Sequence, residues 1–193
     1  MKKVASFDLE GVVVYQHTQF SNRLVERQGE DIRPAVDEFF GGIFRQVMIG
    51  EARLSASLEP YLDRFHWEDG VEGLLDFWFA DENNINPEVL SLIQEVRRAG
   101  LLTLLVTDNP AERVSRLWNG EGLTSYFDAR YVSGESGVKK SSPKLWETIA
   151  KDWDVRSSDI FFVDDDVENI KVALEAGVHA KLYTNTEILK ADL

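Results

Sequence analysis

Residues 4–14 read Val4-Ala5-Ser6-Phe7-Asp8-Leu9-Glu10-Gly11-Val12-Val13-Val14. An apolar run ends in two acids spaced two apart, with a glycine directly behind. Side chains i and i+2 of a strand share one side. The spacing therefore predicts that Asp8 and Glu10 emerge together at the C-terminal end of a buried strand. In open α/β sheets that end is where ligands bind. A carboxylate there serves as nucleophile or metal ligand, and a second acid beside it moves protons. The same residues also suit a plain strand-to-turn junction, because Asp and Gly favour turns.

The chain beyond this stretch has two textures. From Asn86 onward helix and strand alternate. Asn86-Pro87 reads as N-cap and first helical residue, with Val89, Leu90, Ile93 and Val96 at helical spacing. Gly100 ends that helix and residues 101–106 form a buried strand. Asn109-Pro110 opens another helix, and Tyr131-Val132 ends a short strand. Ser142-Pro143 opens a helix with Leu145, Trp146, Ile149, Ala150 and Trp153 on one face. Residues 160–163 are a strand, 167–177 a helix and 180–183 a last strand. With residues 3–8 this predicts an α/β fold, a doubly wound Rossmann-like parallel sheet with right-handed crossovers. Residues 15–85 read instead as helical throughout and rich in aromatics, from Phe20 to Phe79. Most of these rings suit the core of a small bundle. The expected division is a core of residues 1–14 and 86–193 with an inserted helical domain of residues 15–85, placed beside the first carboxylates as a lid.

Composition narrows the function. The chain has 193 residues, 34 acidic against 21 basic side chains, a net charge of −13, and no cysteine. Nucleic acid is disfavoured as a partner, because a phosphate backbone needs a basic footprint. Thiolate chemistry and Cys-ligated zinc are excluded. No apolar run approaches the ~20 residues of a membrane span. The N-terminal lysines precede an apolar stretch too short for a secretion signal, so a cytoplasmic location is expected.

Four pieces of chemistry stand at strand ends. They are Asp8-Leu9-Glu10-Gly11; Thr107 with Asp108-Asn109-Pro110; Lys139-Lys140; and Asp164-Asp165-Asp166 with Glu168-Asn169. Each has an ordinary reading, such as a helix cap for Asp108, Asn109 or the aspartates, or a solvated turn for the lysines. Three successive acids behind an apolar strand repel one another, which argues for a cation nearby. Hard oxygen ligands suit magnesium. Two acidic strand ends, a hydroxyl and a lysine together make a phosphoryl-transfer site.

With these pieces in this order, the chain resembles the haloacid dehalogenase (HAD) superfamily. The resemblance rests on FDLEGV (7–12), LLVT (104–107), SGESGVKKSSP (133–143) and FFVDDDVEN (161–169). The insertion is similar to that family's small helical cap, and sugar-phosphate phosphatases and the phosphatase domain of epoxide hydrolases look nearest. The resemblance implies Asp8 as nucleophile and Glu10 as general acid/base, with the Glu10 carbonyl on magnesium. It implies Thr107 and Lys140 on the phosphoryl group, Asp165 as magnesium ligand, Asp164 as ligand or its support, and Asn169 steadying that loop. Asp108 and Asn169 join Thr107 and Lys140 as residues expected around the substrate. Three positions depart from the family pattern: Glu10 where aspartate is usual, Asp108 where asparagine is usual, and Ser141 where proline is usual. Lys140, rather than Lys139, falls in register.

The expected activity is magnesium-dependent hydrolysis of a small phosphorylated metabolite through an aspartyl-phosphate, by a monomer or homodimer. The alternatives are a haloacid dehalogenase, a phosphomutase, which would need a cap residue such as His17 or His66 that nothing in the sequence supports, and a non-catalytic phosphate-binding protein. Glu10 and the acids 164–166 argue against the dehalogenase; Asp108 alone favours the binding protein. Arg23 and Arg45 are candidate substrate contacts from the insertion, although a surface arginine is the commoner role.

Overall fold

Strand β1 (Val4–Phe7) is completely buried and lies at the centre of a five-stranded parallel sheet. The computed structural model describes residues 3–15, 18–80, 84–120 and 122–192. The other strands are β2 (Leu102–Thr107), β3 (Ala129–Val132), β4 (Ile160–Asp164) and β5 (His179–Leu182), in the spatial order β3-β2-β1-β4-β5. Phe7 stands opposite Leu105 of β2 on one side and Val163 of β4 on the other. The chain runs from β1 outward to β3, then returns past β1 to β4. Strand order reverses there, so the C-terminal ends of β1, β2 and β4 open on a common crevice.

Between β1 and β2 lie α1 (Phe20–Gln28), α2 (Arg33–Gly41), α3 (Phe44–Val47), α4 (Leu54–Leu58) and α5 (Gly70–Ala80). Their apolar residues form a cluster of their own. Phe39 and Phe65 are fully buried, and Phe20 stacks on Trp78 with ring centroids 4.0 Å apart. The aromatics expected as a bundle core therefore pack on one another. Three 3₁₀ turns and His66, at φ 52°, interrupt the helices of this stretch.

Helix α6 (Pro87–Arg98) leads into β2; α7 (Ala111–Gly120) follows β2, α8 (Ser133–Ser136) and α9 (Pro143–Asp152) follow β3, α10 (Val167–Glu175) follows β4 and α11 (Thr186–Asp192) follows β5. Helices α6, α7 and α11 cover one sheet face, where Phe7, Leu105 and Val163 point. Helices α9 and α10 cover the other, against Val4, Leu104, Val106 and Phe162. This alternation along β2 is the two-residue period of a strand buried on both faces.

Several boundaries differ from the sequence expectation. Thr107 and Asp164 belong to their strands, and β5 begins one residue earlier. Helix α7 begins at Ala111, because the Asn109 side chain is committed to other partners. Helices α8 and α11 were not expected; the first is too short to show a period. The period of β1 ends at Phe7, so Asp8 and Glu10 stand on a turn in which Val14 N–H donates to the Leu9 carbonyl at 2.8 Å.

The helical segment meets the sheet domain closely at Gly50. This residue has φ +73°, and a Cβ there would lie 2.5 Å from the Gly134 carbonyl oxygen. Only glycine fits. Nearby, Ser55 donates to Glu112 at 3.4 Å and Arg116 pairs with Asp76 at 2.7 Å.

Candidate active site

Asp8 follows β1 directly and is 3% exposed. Its Oδ1 accepts the Leu9 N–H at 2.7 Å, and its Oδ2 lies 2.7 Å from the Lys140 ammonium. The same Nζ donates to Asp164 Oδ2 at 2.7 Å. One buried cation thus ties the ends of two adjacent strands. Asp164 is completely buried; it also accepts from Asp166 N–H at 2.8 Å and from the Asn169 amide at 3.2 Å. Burial pushes the Asp8 carboxyl up to about 7, against the downward pull of Lys140 and with the like charge of Asp164 adding to the rise. Burial by itself would depress Lys140, yet the two carboxylates hold it above the ordinary lysine range.

Thr107 ends β2 and is 1% exposed. Its Oγ1 accepts from the Asn109 amide at 2.7 Å, which leaves the hydroxyl proton for another acceptor. Asp108 turns its carboxylate onto the Lys140 N–H at 3.0 Å. The acid that replaces the usual asparagine therefore braces the loop carrying Lys140. Burial raises its pKa, with the Lys140 N–H and the charges of Lys140 and Lys139 pulling the other way.

Glu10 is placed differently. Its side chain is 37% exposed and forms an ion pair with Arg113, a buried residue of α7. Arg113 donates in turn to Asn109 Oδ1 at 2.7 Å, so a polar chain runs Glu10–Arg113–Asn109–Thr107. Beside Glu10 opens a cavity of about 620 Å³ between the helical segment and the sheet domain, lined on the sheet side by Glu10, Asn109, Pro110 and Arg113. A larger groove of about 790 Å³ lies between α7 and residues 47–55 of the helical segment and is lined by none of the catalytic candidates.

The donor set fits magnesium. Carboxylate oxygens of Asp8, Asp164 and Asp165 lie within 4.8 Å of one another, all hard ligands. Gly11 leaves the space that Asp165 fills: at φ +71°, a Cβ there would lie 2.0 Å from Asp165 Oδ2. The Glu10 side chain stands outside this group, on Arg113; the carbonyl assigned to the metal by resemblance belongs to the same turn.

The expected residues separate as follows. Asp8, Lys140, Asp164, Asp165 and Asn169 gather at the ends of β1 and β4, with Asn169 bonded to Asp164. Thr107 and Asp108 sit beside them. The bridging cation is Lys140; Lys139 is exposed. Arg23 donates to the Trp78 carbonyl at 2.6 Å and lies over the Phe77 ring, inside the helical segment, and Arg45 is exposed on α3. Neither is among the described residues lining the cavity. His66 faces Asp31 at 3.7 Å, and His17 lies outside the described residues. Sequence reading missed Arg113. Its signal was position: with Val114 and Leu117 it lies on the buried stripe of α7, where an arginine must have a partner.

Among the described residues no helix is long and apolar enough to cross a membrane. In sequence the chain is 26% identical to a D-ribitol-5-phosphate phosphatase of Bacteroides thetaiotaomicron, over 92% of this chain and 89% of that protein. It is 25% identical to a phosphoglycolate phosphatase of Vibrio parahaemolyticus, over 91% and 80%. In structure it is similar to a HAD family enzyme of Bacteroides thetaiotaomicron solved with magnesium and inorganic phosphate, with a TM-score of 0.76, 20% identity and 95% of each chain covered. Residues 2–177 match the haloacid dehalogenase-like hydrolase family. The strand-end carboxylates, the bridging lysine and the sheet order thus stand on a chain that belongs to the haloacid dehalogenase-like hydrolases.

Proposed function

We propose that this chain is a magnesium-dependent phosphomonoesterase that transfers the phosphoryl group of a small phosphorylated metabolite to Asp8 and then to water. The observation that carries the reading is the Lys140 ammonium, 2.7 Å from both Asp8 and Asp164 at the reversal of strand order. A buried carboxylate held this way has one oxygen fixed by a backbone N–H and the other by a cation, which orients it for in-line attack. The hydroxyl of Thr107 donates to a phosphoryl oxygen, since Asn109 already occupies it as acceptor. Lys140 offsets charge that spreads over the equatorial oxygens. Glu10 protonates the leaving oxygen and afterwards takes a proton from the water that cleaves the acyl-phosphate. Arg113 fixes the carboxylate of Glu10 for both steps, restraining the extra methylene that glutamate has over aspartate. Magnesium held by Asp8, Asp165, Asp164 and the Glu10 carbonyl would neutralise further charge on the phosphoryl group. The helical segment of residues 15–85 serves as the lid that excludes water and holds the leaving group.

The related phosphatases support this reading, as does the neighbour solved with magnesium and phosphate. The test is hydrolysis of p-nitrophenyl phosphate with magnesium and with chelator, using Asp8→Asn as the blank. Turnover that needs both magnesium and Asp8 is expected. Turnover that survives Asp8→Asn would overturn the nucleophile. Phosphate binding without turnover would favour the non-catalytic alternative.

A further inference from the structure

The cavity beside Glu10 carries information about the leaving group. On the phosphatase reading, Glu10 meets the leaving oxygen, so the cavity it borders is the room in which the alcohol sits. The roof is supplied by the helical segment, with Phe40, Phe44, Met48 and Trp78 among its lining. Phe40 and Phe44 are only partly buried and meet edge to face, with centroids 4.9 Å apart. Ring surface of this kind against water is unfavourable, and an apolar ligand face displaces that water.

Charge points the same way. The lining holds two acids, Glu10 and Asp37, and among the described lining residues one cation, Arg113. Arg113 is already engaged by Glu10 and Asn109. A leaving group bearing a carboxylate would face two acids and a guanidinium whose charge is already met. Burying such a group without a partner is costly. A two-carbon acid would also leave most of a cavity of about 620 Å³ to water against the aromatic roof.

We propose, on the phosphatase reading, that the substrate is the phosphomonoester of an uncharged alcohol with an extended apolar or aromatic face. Monoesters that carry a carboxylate on the leaving group are excluded. The aromatic roof is the element that selects.

The test compares kcat/KM for benzyl phosphate, D-ribitol 5-phosphate and phosphoglycolate. All three are esters of primary alcohols, so the chemical step is similar while the leaving group changes from aromatic to polyol to carboxylate. Benzyl phosphate is expected to exceed phosphoglycolate by about tenfold or more, the usual yield of a well-filled apolar subsite. Phe44→Ser is expected to reduce the benzyl-to-phosphoglycolate ratio by about tenfold. The ratio is read within one preparation, so a partly unfolded variant does not distort it. Asp37→Lys, at the exposed rim, is expected to raise phosphoglycolate turnover severalfold by supplying a cation. Phosphoglycolate or ribitol 5-phosphate equal to or better than benzyl phosphate would overturn the inference. Absence of Asp8-dependent turnover with p-nitrophenyl phosphate would instead overturn the phosphatase reading, and the inference with it.

Discussion

Two charged centres begin on acids two residues apart, Asp8 and Glu10, and differ in almost every physical respect. Around Lys140, two carboxylates at strand ends are buried and held by backbone N–H groups and an amide side chain, and the buried ammonium donates to both of them. Around Arg113 a buried guanidinium reaches a carboxylate that remains 37% exposed, on a turn and facing a cavity. The first centre is fixed by the ladder of the sheet. The second spans two layers, from the β1 turn to α7, and one of its partners faces solvent. A rigid centre suits attack on phosphorus, where alignment decides the rate. A carboxylate at the cavity wall suits proton exchange with a leaving group that must enter and depart.

The contrast can be broken from either side. Asp8→Asn should abolish turnover while leaving the thermal midpoint close to wild type, as read by aryl phosphate hydrolysis and calorimetry; retained turnover would remove the nucleophile from the first centre. Glu10→Gln should lower kcat/KM by about 10²–10⁴. A near-normal rate would move proton transfer to another group.

Lys140→Met should destabilise the fold by about 3–5 kcal/mol, because removing one partner leaves Asp8 and Asp164 buried as like charges. Denaturant unfolding measures it, and a loss below 1 kcal/mol would mean that the carboxylates take up protons at no cost. Arg113→Gln sharpens the comparison through chemistry. It should lower kcat/KM for benzyl phosphate more than for p-nitrophenyl phosphate, whose leaving group scarcely needs a proton. Equal losses on both esters would make Arg113 a purely structural residue.

Smaller effects lie further out. Gly11→Ala places a methyl where Asp165 stands, so it should raise the magnesium concentration needed for half-maximal stabilisation in thermal shift assays. An unchanged requirement would separate Asp165 from the metal. Glu38, on the surface, is held down to about 2 first by the hydrogen bonds from Arg64, against the upward push of partial burial and with Tyr61 helping. Its lowered pKa contributes stability above the unfolded value of 4.5, and this contribution is lost as pH falls through about 2. The exposed pair should contribute little. Carboxyl NMR should find the midpoint near 2 and see it return toward 4.5 in Arg64→Ala.

How much of the site was legible depended on how each residue is placed by the chain. Thr107 and Asp164 end apolar strand runs and Asp8 follows one, so the pattern of burial points at them directly. Lys140 lies in a loop, and only its register in a family motif separated it from Lys139. The start of α7 slipped because the Asn109 side chain bonds Thr107 and Arg113 rather than capping the helix. The first strand was carried one residue too far, to Asp8, whose N–H still donates to the Val163 carbonyl at 2.9 Å, because a sequence does not mark where the ladder stops.

The sequence by itself determined the parallel sheet, the aromatic helical segment and the acids and hydroxyl at the strand ends, because each follows from the spacing of apolar residues along a short stretch. Tertiary structure alone decided that Lys140 bridges Asp8 and Asp164, that Asp108 braces the lysine loop and that Arg113 grips Glu10. It also set the aromatic roof over that pair. These depend on which loops of a folded sheet come face to face, and distance in space across more than a hundred residues has no periodic signature in the chain.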